Sequence, residues 1–206
     1  ADCESDGSDI RFSLHNGDAL SHELATWNPS GVSEFWVRVP VLTGTKTALA
    51  VHWGNSAASA LTPEESRQAW ANDYVGVWHF EDGPTLIRDA STYANHGSGY
   101  LNAPGRDGIA GLGREFDSNL VCQVYGGHEP SLRPPTFTYE AWFNSTSTPP
   151  ARSVLMGQYM DWNTGSYIGF ESSRPTLRLN NQFATAASAA ALDTWHHVER
   201  CGRRGR

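Results

Sequence analysis

The chain has 206 residues, 39% of them hydrophobic and 18% charged, with eight Trp, seven Tyr and eight Phe. That composition supports one large β domain or two small ones and excludes a disordered chain. The net charge of -7, from 22 acidic against 15 basic residues, argues against a nucleic-acid partner, because phosphate-backbone binders carry a basic patch. No apolar run approaches the roughly 20 residues that would span a bilayer. The one basic run, Arg200 to Arg206, reads as a solvated tail. Three cysteines, Cys3, Cys122 and Cys201, allow at most one internal bridge and lack the C-x-x-C spacing of a zinc knuckle or a redox pair.

In chain order, residues 9–55 read as short strands with turns between them. Phe35-Trp-Val-Arg-Val39 alternates, with Phe35, Val37 and Val39 on one face and Trp36 on the other, and Leu49, Val51 and Trp53 repeat the pattern. Thr62-Pro63-Glu64-Glu65 is the one good helix start: Thr62 can cap, Pro63 suits the first turn and Glu65 completes a capping box, predicting a helix that ends near Asn72. The spacing predicts a partial β domain over 1–61, a helical linker over 62–73 and a β-sandwich over 74–206.

Val75-Gly-Val-Trp-His-Phe80 reads as the first strand of that sandwich, and the glycine-rich stretch 95–113 as a turn-rich excursion. Further strands are expected near 114–125, 137–144, 153–159, 166–171 and 176–180; the alanine-rich Ala184–Leu192 has the composition of a helical turn, which its Thr and Ser interrupt. Phe137-Thr-Tyr-Glu-Ala-Trp-Phe-Asn144 and Thr194-Trp-His-His-Val198 combine aromatic and β-branched residues, which suit a half-buried pleated surface. Trp36, Trp53, Trp78, Trp142 and Trp195 are expected in the core. The fold class is therefore all-β, an antiparallel sandwich with a smaller N-terminal β unit and one short linking helix.

Five motifs stand in a familiar order: Gly76-Val-Trp-His-Phe80, Arg88-Asp-Ala-Ser-Thr-Tyr-Ala-Asn-His-Gly97, Gly111-Leu-Gly-Arg-Glu-Phe116, Phe137-Thr-Tyr-Glu-Ala-Trp142 and Trp195-His-His-Val198. Over about residues 74–198 the chain resembles the laminin-G-like, concanavalin A-like family, which implies a jelly-roll sandwich. Upstream, Asp9-Ile-Arg-Phe12, Trp27-Asn28, Phe35-Trp-Val-Arg-Val-Pro40 and His52-Trp-Gly-Asn55 resemble an uncharacterised bacterial domain that often precedes such modules in exported or envelope proteins. Set beside both patterns the chain reads as a fragment, with open strand edges that invite self-association.

The resemblance implies calcium, a cation that takes six to eight oxygen ligands; the plausible side chains are Glu81, Asp82, Asp89, Asn95 and Asp117. Asp89 and Asn95 equally suit a turn held by side-chain-to-backbone bonds. For glycan binding, Tyr159, Trp162 and Tyr167 surround the loop Met160–Gly165, with Arg178 and Asn180 on the alternating strand beyond. Trp162 lies outside any apolar periodicity and is either a sugar-stacking residue or a loop aromatic over the core. Glycoside hydrolysis needs two carboxylates about 5–10 Å apart, for which Glu140 and Glu171 are the strand candidates; a lone strand carboxylate is more often a solvated outer-face residue. His196 and His197 are adjacent and, on a strand, point to opposite faces. Three readings follow: a secreted or envelope module that binds a polysaccharide or a protein surface, a polysaccharide-cleaving enzyme, and a structural spacer.

Overall fold

The computed structural model describes residues 3–42, 44–100, 102–117, 122–150, 152–159 and 165–203. These residues are almost all β, in antiparallel sheets, and form two compact units, Ala1–Leu132 and Arg133–Arg206. Among them no disulfide forms, and no helix is long and apolar enough to cross a membrane.

The first unit contains strands β1 (Arg11–Leu14), β2 (Ala19–Leu20), β3 (His22–Thr26), β4 (Glu34–Val37) and β5 (Leu49–His52), then helix α1 (Pro63–Arg67). After the helix come β6 (Leu86–Ile87), β7 (Gly97–Tyr100), β8 (Ala103–Asp107), β9 (Leu112–Glu115) and β10 (Gln123–Tyr125). The sheets run β2–β1–β5, β3–β4, β6–β7–β10 and β8–β9. The alternation in β4 separates its rings as expected: Phe35 packs edge-on against Phe12 at 5.2 Å, while Trp36 meets Trp70 and His79 at 5.4 and 5.7 Å. Helix α1 carries the full capping box, with the Thr62 hydroxyl accepting from the Glu65 N–H and the Glu65 carboxylate accepting from the Thr62 N–H. It tightens into a 3-10 turn over Gln68–Trp70 and stops short of Asn72, where the Trp70 indole donates to Glu23 Oε2 at 2.5 Å.

Several expected strands are corrected. Residues 75–80 join no ladder; the Val77 N–H donates to Asp89 Oδ1, the Val75 carbonyl accepts from Asn95, and Phe80 takes a positive φ of 66°. Two side chains from a downstream turn thus replace the neighbouring strand. The glycine-rich stretch, read as turns, instead forms β7, β8 and the first half of β9. Gly99 marks why: a Cβ there would stand 2.3 Å from the Pro84 carbonyl, so the strand approaches backbone too closely for any other residue. The strand expected at 114–125 is not continuous: β9 ends at Glu115 and pairs with β8, Phe116, Asp117 and Cys122 lie outside any strand, and β10 pairs with β7 in another sheet.

The second unit contains β11 (Thr136–Asn144), β12 (Arg152–Tyr159), β13 (Gly165–Glu171), β14 (Arg174–Leu179), β15 (Gln182–Thr185) and β16 (Trp195–Arg203). β11 pairs with β16, and β12–β13–β14–β15 form a four-stranded sheet. The hairpin turn Ser172–Ser173 has both residues at positive φ (49° and 67°), the primed geometry that matches strand twist. The two sheets pack face to face: Phe143 of β11 meets Phe170 of β13 edge-on at 5.0 Å, and the Tyr139 hydroxyl bonds Ser166 at 2.9 Å. Ile168 is fully buried between these contacts. Alanine-rich 186–191 forms no helical turn, because β15 carries the chain to Thr185 and the Ala186 N–H caps the Pro175 carbonyl. Trp53 and Trp142, expected in the core, are 59% and 48% exposed. Trp142 alternates with the buried Phe143 and so faces away from the β13 layer, while Trp53 lies just past the end of β5.

Candidate binding face

Alternation along β13 fixes the site. Ser166, Ile168 and Phe170 point toward β11, so Tyr167 and Glu171 point outward. Register then places Arg178 of β14 directly opposite Tyr167, and Phe183 of β15 directly opposite Arg178. The result is a row across three strands, Tyr167–Arg178–Phe183, on the outer face of the four-stranded sheet. Its inner members are buried, at 5% and 8% exposure, whereas Phe183 is 50% exposed. The Arg178 guanidinium carbon lies 5.1 Å from the Phe183 ring centroid, a cation–π contact, and its Nε donates to the Asn180 carbonyl at 2.6 Å. The Tyr167 hydroxyl donates to Glu171 Oε1 at 3.1 Å; burial, then that bond, push the phenol above its usual range. Arg152 and Arg174 stand opposite Glu171 on the flanking strands, and Arg152 Nε approaches Glu171 at 3.8 Å.

Of the expected glycan-binding residues, the structure brings Tyr167, Arg178 and Asn180 together, the last through its carbonyl and through Oδ1, which accepts from the Gly165 N–H. Trp162 lies outside the described residues, as does the side chain of Tyr159, whose backbone ends β12 opposite Gly165. Phe183 was absent from the expected set. Its signal is the Asn180-Asn181 pair, which makes a two-residue hairpin with Asn180 at φ 52° and returns the chain as β15.

The two candidate carboxylates do not meet. Glu171 projects from the outer face of β13. Glu140 shares the face of Trp142 on β11, where its carboxylate lies 3.7 Å from His197 Nε2 and the Trp142 ring meets the same imidazole at a tilt, with centroids 4.9 Å apart. These are opposite sides of a two-layer unit whose sheets alone are about 10 Å apart. The adjacent histidines divide as expected: His197 takes that outer face, and His196 packs inward on Phe143 at 5.4 Å.

The residues proposed for calcium do not form one cage. Asp89, 1% exposed, accepts four hydrogen bonds: from the N–H groups of Val77, Ser91 and Asn95 and from the Ser91 hydroxyl, at 2.7–2.8 Å. Asn95 in turn clamps Val75 and Ser131. Asp82 is held by the Arg88 backbone and guanidinium at 2.6 and 3.1 Å. Partial desolvation pushes the Glu81 carboxyl above its usual range, with His79 pulling the other way. Asp117 follows β9 and is exposed. Among the described residues no group of three or more His, Cys, Asp or Glu is placed to hold a metal ion. A joint unforeseen in the sequence lies nearby: Glu23 Oε2 accepts from Trp70 and pairs with His79, whose ring is stacked on Trp36.

Residues 6–86 match the family described as Domain of unknown function (DUF2341), so the N-terminal stretch is similar to an uncharacterised domain. No curated protein and no solved structure matches the chain.

Proposed function

We propose that the second unit is a non-catalytic carbohydrate-binding module of an exported bacterial protein, laminin-G-like in kind, using the outer face of its four-stranded sheet. The observation that carries this reading is the Tyr167–Arg178–Phe183 row: an exposed ring beside a fixed cation, rimmed by Glu171, Arg152 and Arg174. Such a surface offers an apolar face for a sugar ring and charged donors and acceptors for its hydroxyls. Five ordered motifs and the two-layer packing of antiparallel sheets support the family likeness. The hydrolase alternative has less to rest on, because Glu140 and Glu171 leave opposite faces.

The test is a polysaccharide and glycan panel read by array and calorimetry. Phe183→Ala and Trp162→Ala are expected to weaken binding roughly tenfold or more, an aromatic contact being worth about 1.4 kcal/mol. Binding to protein partners alone would replace the carbohydrate reading with the protein-surface one. Reducing-sugar release that falls in Glu140→Gln or Glu171→Gln would establish the hydrolase instead. Calcium is the accessory ligand that the resemblance carries. A rise in Tm on restoring calcium after chelation would support it, because a ligand held only by the folded state stabilises that state; an unchanged Tm removes it.

A further inference from the structure

We propose a second ligand site, in the first unit, at the pocket between the 93–96 turn and the 126–129 loop, suited to a single neutral saccharide unit. The pocket has a volume of about 310 Å³ and is lined by Tyr93, Asn95, His96, Gly126, Gly127 and Glu129. That volume sits at the small end of ligand pockets, which run from about 300 to 1,000 Å³.

Its walls are rigid for identifiable reasons. Asp89, with its four hydrogen bonds, holds the 89–95 turn from inside. The Asn95 amide donates to the Val75 carbonyl and to Ser131 Oγ, at 2.7 and 3.0 Å, and so ties the turn to the segment that follows the opposite loop. Gly127, at φ 85°, makes a bend that side-chain-bearing residues rarely adopt, and Gly126 beside it leaves backbone accessible.

On this scaffold stand Tyr93, His96 and Glu129, which line the pocket. The Asp89 N–H donates to His96 Nδ1 at 3.0 Å, so that nitrogen is an acceptor and the neutral ring carries its proton on Nε2. The ring therefore offers a donor to the pocket. Glu129 offers carboxylate acceptors, and Tyr93, 55% exposed, offers an aromatic face and a hydroxyl. A donor, an acceptor pair and a ring face around a small polar hollow match a sugar's adjacent hydroxyls and its C–H face. Anions are disfavoured, because Glu129 is the only charged side chain lining the pocket. The inference is independent of the face on the second unit.

The test uses the full chain, with glucose, galactose, mannose and N-acetylglucosamine as probes in saturation-transfer NMR and calorimetry. At least one is expected to bind with millimolar Kd, and Glu129→Gln, His96→Ala and Tyr93→Ala each to weaken it roughly tenfold, while Phe183→Ala leaves it unchanged. Tyr93, His96 and Glu129 are all exposed, and an unaltered Tm in each variant confirms that folding is intact. Three results would overturn the proposal: no binding of any probe at high millimolar concentration, binding indifferent to all three substitutions, or binding lost in Phe183→Ala alone. The last would transfer the sugar to the face on the second unit.

Discussion

Two buried aspartates do in this chain what a neighbouring strand does elsewhere. Asp9, 2% exposed, accepts from the Glu4 and Gly54 N–H groups and the Cys3 thiol, and Asp89 accepts from three N–H groups and a hydroxyl. Each stranded donor in a buried site costs about 1–3 kcal/mol. Asp89→Ala strands four, so the chain is expected to lose about 3 kcal/mol or more, read from denaturant midpoints; a loss under about 1 kcal/mol would mean that water takes the place of the carboxylate. His22 gives a pH-dependent counterpart. Burial against Phe12 and Phe35 lowers its pKa below 6.5, so the folded state favours the neutral ring. A depressed folded value means that the contribution is complete above the unfolded value near 6.5 and is lost as pH falls through the folded one. Tm should therefore decline as pH falls below the unfolded value near 6.5, and His22→Phe should remove part of that decline. An identical profile in the variant would assign the decline to other groups.

At the scale of elements, legibility followed side-chain chemistry. The capping box before α1, the alternation of β4 and the aromatic run of β11 are local patterns, and each formed where its residues indicated. What stayed hidden was set by partners distant in sequence. Val75–Phe80 has β composition but no strand beside it, because Asp89 and Asn95 claim its backbone first. β7 contains Gly97 and Gly99, residues that weaken strands on average, and it forms because close backbone approach admits nothing larger. The Tyr167–Arg178 part of the binding face was legible from alternation, whereas Phe183 needed the register that a short hairpin sets. Register also exposes a defect: Glu140 and Glu199 are directly opposite on β11 and β16. Like charges in that position are destabilising, and opposite charges contribute about 0.2–1 kcal/mol. Glu199→Lys is thus expected to raise stability by roughly 0.5 kcal/mol at low salt, with the gain shrinking as salt is added. A loss of stability instead would show that Glu199 has a partner worth more than the repulsion.

At the scale of the whole molecule, the long strand edges govern self-association. β11 and β16 pair only with each other among the described residues, so each nine-residue strand leaves one edge unpaired. The two edges are not equivalent. β16 carries Glu199, Arg200 and Arg203 with two histidines, the kind of charge that blunts edge-to-edge pairing. β11 has Glu140 as its only charge among four aromatic residues and two threonines, a composition that favours strand addition. The net charge of -7 opposes encounter between copies at low salt and is screened within about 8 Å at physiological ionic strength. Self-association through β11 is therefore expected to grow with both protein and salt concentration. Thr138→Lys places a charge on the exposed face of that edge and should shift the light-scattering mass back toward the monomer. A chain that is monomeric at all concentrations, or a Thr138→Lys variant that associates as strongly as the parent, would exclude this edge as the contact.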